Sequence, residues 1–327
     1  MARTQQLQAG VARLPEDERV SEYRPHWRDA HATKFGHPRA VLGTMATLPL
    51  VETLEQRMFL SVSPAVVEPA EAVRSAAVFR RVTTTPLIVD HTSIAGVARI
   101  AQTTMVRIAS TLNFLFAHAS VGGNILDGMN ALHSANPGRY KLGVVSTSQT
   151  PPATTIKGRV YELDRGNPPW QEKVDSFAGY LAGGWAAKIN VAMNKFCFID
   201  PDATVQYYAL SNAKNTAMSQ LEAKYPNVKF VYVTIPLTTG TDADNVKRNN
   251  FNTTLRKWAR AHGKVLFDLA DIEAWSPAGK QSTFTSSGTT YQRLYSGYAA
   301  DEGHLNTTGG KREALAWYAL AAGLIAR

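Results

Sequence analysis

The sequence predicts an α/β fold, a three-layer α/β/α sandwich around a central parallel sheet. Three observations predict it. From Pro86 onward, strand-like and helix-like segments alternate along the chain, the pattern of βαβ units and a parallel sheet. The clearest strand-like run, Val228 to Ile235 (VKFVYVTI), is apolar almost throughout, as a strand covered by helices on both faces must be. Finally, there is no internal repeat and no sign of a second core.

The 327 residues divide into four stretches. Residues 1–44 are polar, mix Arg, His and Pro, and show no sustained periodicity; they read as flexible, and Met45 is a candidate natural start. Residues 45–61 contain Glu52-Thr-Leu-Glu-Gln-Arg-Met-Phe-Leu-Ser61. This Leu-Glu-x-Arg-x-x-Leu pattern resembles the short N-terminal motif, often Leu-Glu-Pro-Arg, of many surface or exported planctomycete proteins, with Gln56 where proline is commonest. The resemblance implies a processing or sorting signal, hence an exported or surface location, with the cytoplasm as the alternative. Without it, the stretch is a turn of amphipathic helix with Leu54, Met58 and Phe59 on one side. Residues 62–85, rich in Ala, Val, Pro and Thr, read as a linker to a domain spanning 86–327.

Within that domain Leu87 to Asp90 reads as a short strand or entry segment. Val97, Ala101, Met105 and Ile108 give a helical face. Leu112 to Ala117 is strand-like and runs into a helix from about Val121, where Val121, Ile125, Met129 and Leu132 recur at helical spacing. Leu142 to Ser146 is β-like, Trp170 to Ala187 helical, and Ile189 to Ile199 contains a strand. Thr204 to Tyr225 reads as one long helix. After the run at 228–235, Asn245 to His262 is helical, Val265 to Leu269 a strand, and Asn306 to Ala326 the closing helix.

Hydrophobic residues make up 44% and charged residues 19%, ordinary for a globular chain. The net charge of +9 raises nucleic acid as a partner, but the Lys and Arg are scattered with no dense block; the excess reads as a solvated basic surface, not a nucleic-acid site. The single cysteine, Cys197, excludes an internal disulfide, and within the apolar run KFCFID it reads as a small buried residue. The longest apolar stretch, Ala314 to Ala326, is too short to span a bilayer. Neither a Cys cluster nor paired-His spacing indicates a metal, and Gly122-Gly123-Asn lacks the phosphate-loop lysine and the dinucleotide spacing, so no cofactor is expected.

Two features carry chemistry. Ser120 falls where a strand gives way to a helix, at the carboxyl edge of a parallel sheet, where ligands bind. The following helix aims free N–H groups and a positive dipole end at its oxygen, and Gly122 and Gly123 allow close approach. Alone, such a serine is more simply an N-cap. The second feature is Asp301-Glu-Gly-His304 before the last helix. With Asp and His three apart on one turn, the carboxylate can hold one imidazole nitrogen while the other faces outward. Alone, this is a surface turn.

Together, in this order, they resemble the layout of the SGNH (GDSL-type) hydrolases, and specifically a bacterial branch with a His-x-Ser-Val-Gly block. The residues carrying the resemblance are His118-Ala-Ser120-Val-Gly122, Gly166-Asn167-Pro168, Lys195-Phe-Cys-Phe-Ile-Asp200, Thr234-Ile-Pro-Leu237 and Asp301-Glu-Gly-His304-Leu-Asn306. It implies an SGNH-hydrolase or flavodoxin-like sandwich, with Ser120 as nucleophile, His304 as base and Asp301 as its orienter. Oxyanion donors would come from the Gly166 N–H and an Asn amide, either Asn194 or Asn167. His118, Gly122 and Lys195 are candidates to line the pocket, although a structural hydrogen bond is the plainer reading of His118; Lys195 and Asp200 are candidates for an ion pair beside it, with a solvated role for Asp200 as the alternative. Two blocks depart from the family pattern: His118-Ala119 replaces Gly-Asp, and the Gly-x-Asn-Asp block is broken at Asn190-Val-Ala-Met-Asn194-Lys195. The expected substrate is a small-molecule or carbohydrate ester; an O-acyltransferase, or a non-catalytic cell-surface or carbohydrate-binding protein on the same fold, are the alternatives.

Overall fold

The computed structural model describes residues 85–327. The segments 1–44 and 45–61, and all of 62–85 but its last residue, lie outside the described residues. In chain order, β1 (Leu87–Val89) leads through a 3₁₀ helix (His91–Arg99) to α1 (Gln102–Thr111), β2 (Asn113–His118) and α2 (Val121–Ala135). Then come β3 (Gly143–Ser146), β4 (Arg159–Asp164), α3 (Trp170–Ala182) and β5 (Val191–Asn194). The second half holds α4 (Met218–Lys224), β6 (Lys229–Val233), α5 (Ala243–Ala261), β7 (Val265–Phe267), α6 (Leu269–Ala274), the hairpin β8 (Thr283–Ser286) and β9 (Thr289–Gln292), and α7 (Thr307–Ile325).

The strands β1 to β7 form one sheet in the order β1-β7-β6-β5-β2-β4-β3, parallel throughout. Alternation along each strand divides the core into two layers, because successive side chains leave a strand on opposite faces. Phe114, Phe116, Val191, Met193, Val231, Val233 and Phe267 pack with Ile125, Met129, Trp317 and Leu320 of α2 and α7 on one face. On the other, Leu115, Ala117, Ala192, Phe230, Tyr232 and Leu266 pack with Val174, Phe177, Leu221 and Leu255 of α3, α4 and α5. This is the three-layer α/β/α sandwich.

The strand order places β2 where the chain changes direction across the sheet. β3 and β4 lie on one side of β2, and β5, β6 and β7 on the other. A crevice opens at such a reversal, outside the carboxyl ends of the strands; the segment after β2 begins with Ala119 and Ser120.

Three parts differ from the sequence expectation. The long helix over 204–225 is absent: a π-helical turn (Gln206–Leu210) is followed by a gap before α4. Asn212 is the cause. Its side chain bonds Tyr207 O, Thr216 Oγ1 and the N–H groups of Lys214 and Thr216, offering the backbone a local alternative to the helix. The helix expected over 170–187 ends at Ala182, where Gly183 and Gly184 follow and Gly184 takes φ 118°, a conformation glycine alone adopts freely. The face of Val97, Ala101, Met105 and Ile108 is divided between the 3₁₀ helix and α1. Strand β4 and the β8–β9 hairpin carry no signal in the pattern read from sequence. No described helix is long and apolar enough to cross a membrane.

Candidate active site

β2 is buried along its whole length, and its end fixes where Ser120 stands. His118 pairs with Asp164 of β4, and Arg165 N donates to His118 O at 3.0 Å. Ser120 follows at φ 57°, ψ −114°, one of three non-glycine residues with positive φ among the described residues. That backbone costs on the order of 1–3 kcal/mol and persists only when its surroundings impose it. The Ser120 side chain makes no cap bond to α2; its Oγ lies 2.6 Å from His304 Nε2. Gly122 N and Gly123 N donate to Ala119 O and Ser120 O, which leaves the N–H groups of Ser120 and Val121 as first-turn donors without an intrahelical partner.

The partner loop is built as tightly. Asp301 Oδ2 lies 2.7 Å from His304 Nδ1, and Asp301 Oδ1 accepts from His304 N at 2.8 Å and Gly303 N at 2.9 Å. Partial burial pushes the Asp301 pKa up, but these backbone donors and the imidazole outweigh it and hold the carboxyl below its ordinary value. Nδ1 facing a carboxylate is protonated there, so Nε2 is the acceptor toward Ser120. The loop is pinned by Thr239 N to Glu302 O at 2.8 Å and Leu305 N to Asn124 Oδ1 at 3.1 Å. Phe198 meets the His304 ring edge to face at 5.2 Å. Asn306 caps α7 through Thr308 N and Gly309 N. A hydroxyl against an imidazole whose far nitrogen is held by a carboxylate is competent to lose its proton to that ring.

One close approach joins the two halves. Gly128 of α2 sits against Gly310 of α7 with no room for a Cβ on either. Small residues at the crossing let the two helix backbones meet, and those helices carry the serine and histidine turns at their N-terminal ends.

The other residues singled out in the sequence are placed differently. His118 is 3% exposed, stacks on Phe116, bonds Glu162 Oε2 through Nε2 at 2.8 Å and fills the space a side chain at Gly122 would need. It packs beneath the Ser120 turn, against Gly122. Burial holds its pKa below the ordinary value against the pull of Glu162, and Glu162 is also hydrogen-bonded by Ser146 Oγ. Lys195 is wholly buried, its ammonium on Phe196 O at 2.8 Å, with burial pushing its pKa down to about 8. Its expected partner Asp200 pairs instead with Lys173, at 2.6 Å. Gly166 takes φ 66° with open space beside it, and its N–H donates to Asp164 Oδ1 at 3.0 Å. Asn194 is buried with its amide on Lys173 O at 3.2 Å. Asn167, on the exposed turn after β4, accepts from Lys173 Nζ at 3.1 Å.

Sequence reasoning missed Asn124 and Glu162, which belong to no pattern that marks them before the strands are aligned; Phe198 lies in the 195–200 block but is given no role there. Asp90, His91 and Asp271 form the group of possible metal ligands among the described residues. Asp271 already accepts from His91 N, His91 Nδ1, Trp275 Nε1 and Gln292 Nε2, and His91 stacks on Trp275 at 4.1 Å. This is a satisfied latch at the β1 edge of the sheet, away from Ser120.

No protein-family model and no curated protein matches the chain. Among solved structures, one described provisionally as an acylhydrolase, from Bacteroides fragilis, is 12% identical and covers 69% of this chain and 97% of its own, with a TM-score of 0.40. Another, TcdA (CsdL), is 10% identical and covers 72% of this chain and 94% of its own, with a TM-score of 0.32.

Proposed function

We propose that the chain is a serine-dependent acyl hydrolase acting on an ester. The observation that carries this reading is the hydrogen-bonded series Ser120 Oγ, His304 Nε2, His304 Nδ1 and Asp301 Oδ2, at 2.6 and 2.7 Å, on a serine whose backbone is strained and whose side chain does not cap its helix. His304 takes the Ser120 proton as Oγ attacks the acyl carbon. The tetrahedral oxyanion forms beside the free N–H groups at the start of α2, where preorganised donors stabilise it. Collapse expels the alcohol, which leaves with the proton from His304, and the acyl group stays on Ser120. Water then gives a proton to His304 and attacks the acyl carbon; Ser120 leaves and recovers that proton. Asp301 keeps His304 in the tautomer that accepts from Ser120 and stabilises the imidazolium.

The substrate that fits the family resemblance is a small-molecule or carbohydrate ester. The test is turnover of p-nitrophenyl acetate together with fluorophosphonate labelling. Ser120→Ala is expected to lose both with an unchanged melting temperature, and His304→Ala to lose labelling at Ser120. A folded Ser120→Ala protein that retains full esterase activity overturns the reading.

A further inference from the structure

The loop after β5 places an aromatic ring against the Ser120–His304 pair. Phe198 meets the His304 ring edge to face at 5.2 Å, and His304 Nε2 lies 2.6 Å from Ser120 Oγ. The same phenyl ring covers the Asp301–His304 turn so closely that a Cβ on Gly303 would meet it at 2.7 Å. Neither ring is sealed from solvent: Phe198 is half-buried and the His304 side chain is 36% exposed. Ile199, the next residue, is 52% exposed, so the loop stays apolar as it turns outward. Buried polar groups hold this loop in place. Arg248 Nε donates to Phe198 O at 2.6 Å, and Arg248 Nη1 donates to Thr238 Oγ1 at 3.2 Å. On the other side, Cys197 N donates at 2.8 Å to Asp200 Oδ2, the oxygen that pairs with Lys173.

We infer that Phe198 is a specificity-determining residue that receives the alcohol half of the ester, and that the substrate class is an ester of an apolar alkyl or aryl alcohol. The inference rests on Ser120 being the nucleophile and His304 the base. When the tetrahedral intermediate collapses, the leaving oxygen takes its proton from His304 Nε2 and must lie within hydrogen-bond reach of it. The group attached to that oxygen therefore sits beside the imidazole, where Phe198 stands. The acyl substituent belongs instead to the carbon that Ser120 Oγ attacks. A phenyl ring offers neither donor nor acceptor, so a hydroxyl-rich alcohol would lose water there without replacement. An alkyl or aryl group gains from every apolar contact it makes. With the backbone fixed on both sides, the ring meets the substrate already ordered.

The test is kcat/KM of the whole chain on ethyl acetate, hexyl acetate and ethyl hexanoate, followed by acid release at constant pH. Ethanol and 1-hexanol are nearly equal as leaving groups, so the ratio of the two acetates reports contact with the alcohol chain. Wild type is expected to favour hexyl acetate over ethyl acetate by about a hundredfold, and Phe198→Ala to cut that ratio by about tenfold. The ratio of ethyl hexanoate to ethyl acetate is expected to move by no more than about twofold in the variant. Where Phe198→Ala does not fold, Phe198→Gln, which fills more of the same half-exposed space with a polar group, takes its place with the same expectation. An equal fall on both acetates, leaving their ratio unchanged, means that the ring only supports His304 and overturns the specificity role. A change in the acyl ratio instead of the alcohol ratio overturns the assignment to the alcohol side. Wild type without a preference for the longer alcohol overturns the substrate class. If fluorophosphonate labels Ser120 while any of these three results is found, only this inference fails; if Ser120 is not labelled and no ester is turned over, the hydrolase reading fails first.

Discussion

Gly128→Ala reaches the serine and histidine without touching either. A Cβ on Gly128 would come within 2.7 Å of Lys311 N and closer still to the Gly310 carbonyl, where ordinary contact begins at 3.4 Å. Both obstacles are backbone, so no side chain can swing aside. Clearing the Gly310 carbonyl oxygen, met at 2.1 Å, requires α2 and α7 to separate by about 1.3 Å, the difference between 3.4 and 2.1 Å. Added to the 2.6 Å between Ser120 Oγ and His304 Nε2, that separation gives about 3.9 Å, beyond the reach of a catalytic hydrogen bond. Overpacking of this kind costs about 1–3 kcal/mol, and a displacement near 1 Å at a reacting pair costs on the order of a hundredfold in rate. The assay is kcat for p-nitrophenyl acetate and the fluorophosphonate labelling rate, measured beside the urea midpoint of the same variant. Gly310→Ala, which drives a Cβ into Asn124 O, should behave alike. A Gly128→Ala protein with wild-type turnover and a wild-type midpoint would refute the claim that this crossing sets the distance.

Further outcomes follow from single contacts. Asp301→Asn should leave the fold intact, since its side chain is 58% exposed, yet cut kcat by about a thousandfold or more, because the amide no longer selects the productive imidazole tautomer. Burial pushes the Glu273 pKa from 4.5 up to about 8 against the pull of the Leu237 N–H, Lys195 and Arg248. The folded state therefore binds the extra proton between these values, and its contribution to stability is full below pH 4.5 and lost as pH rises through about 8. Melting curves from about pH 5 to about pH 7.5 should show wild type losing stability relative to Glu273→Gln; a constant difference between them would contradict this. Gly179→Ala, in α3 with nothing within 4 Å of the added methyl, should raise stability by about 0.4–1 kcal/mol with activity unchanged, read from the urea midpoint.

Much of the architecture was legible because its causes are local. Continuous apolar runs such as 228–235 mark strands covered on both faces, and the helical spacing after Val121 and Asn306 marks the helices that became α2 and α7. β4 was not legible because Arg159, Glu162 and Asp164 interrupt its run, and Glu162 is tolerated inside only by its bonds to His118 and Ser146. The helix expected over 204–225 failed because one side chain, Asn212, competes for the backbone, an effect periodicity does not register.

By itself, the sequence determined the α/β alternation, the strand-to-helix turn at Ser120 and the short spacing that lets Asp301 hold His304. Those depend on neighbours along the chain. Only the tertiary structure decided that Ser120 bonds His304 rather than capping α2, that His118 and Lys195 are buried supports, and that Asp200 pairs with Lys173. These outcomes turn on which strand lies beside which and how closely two helices approach. Such distances are set by packing between residues far apart in sequence, through side chains as small as the missing one at Gly128.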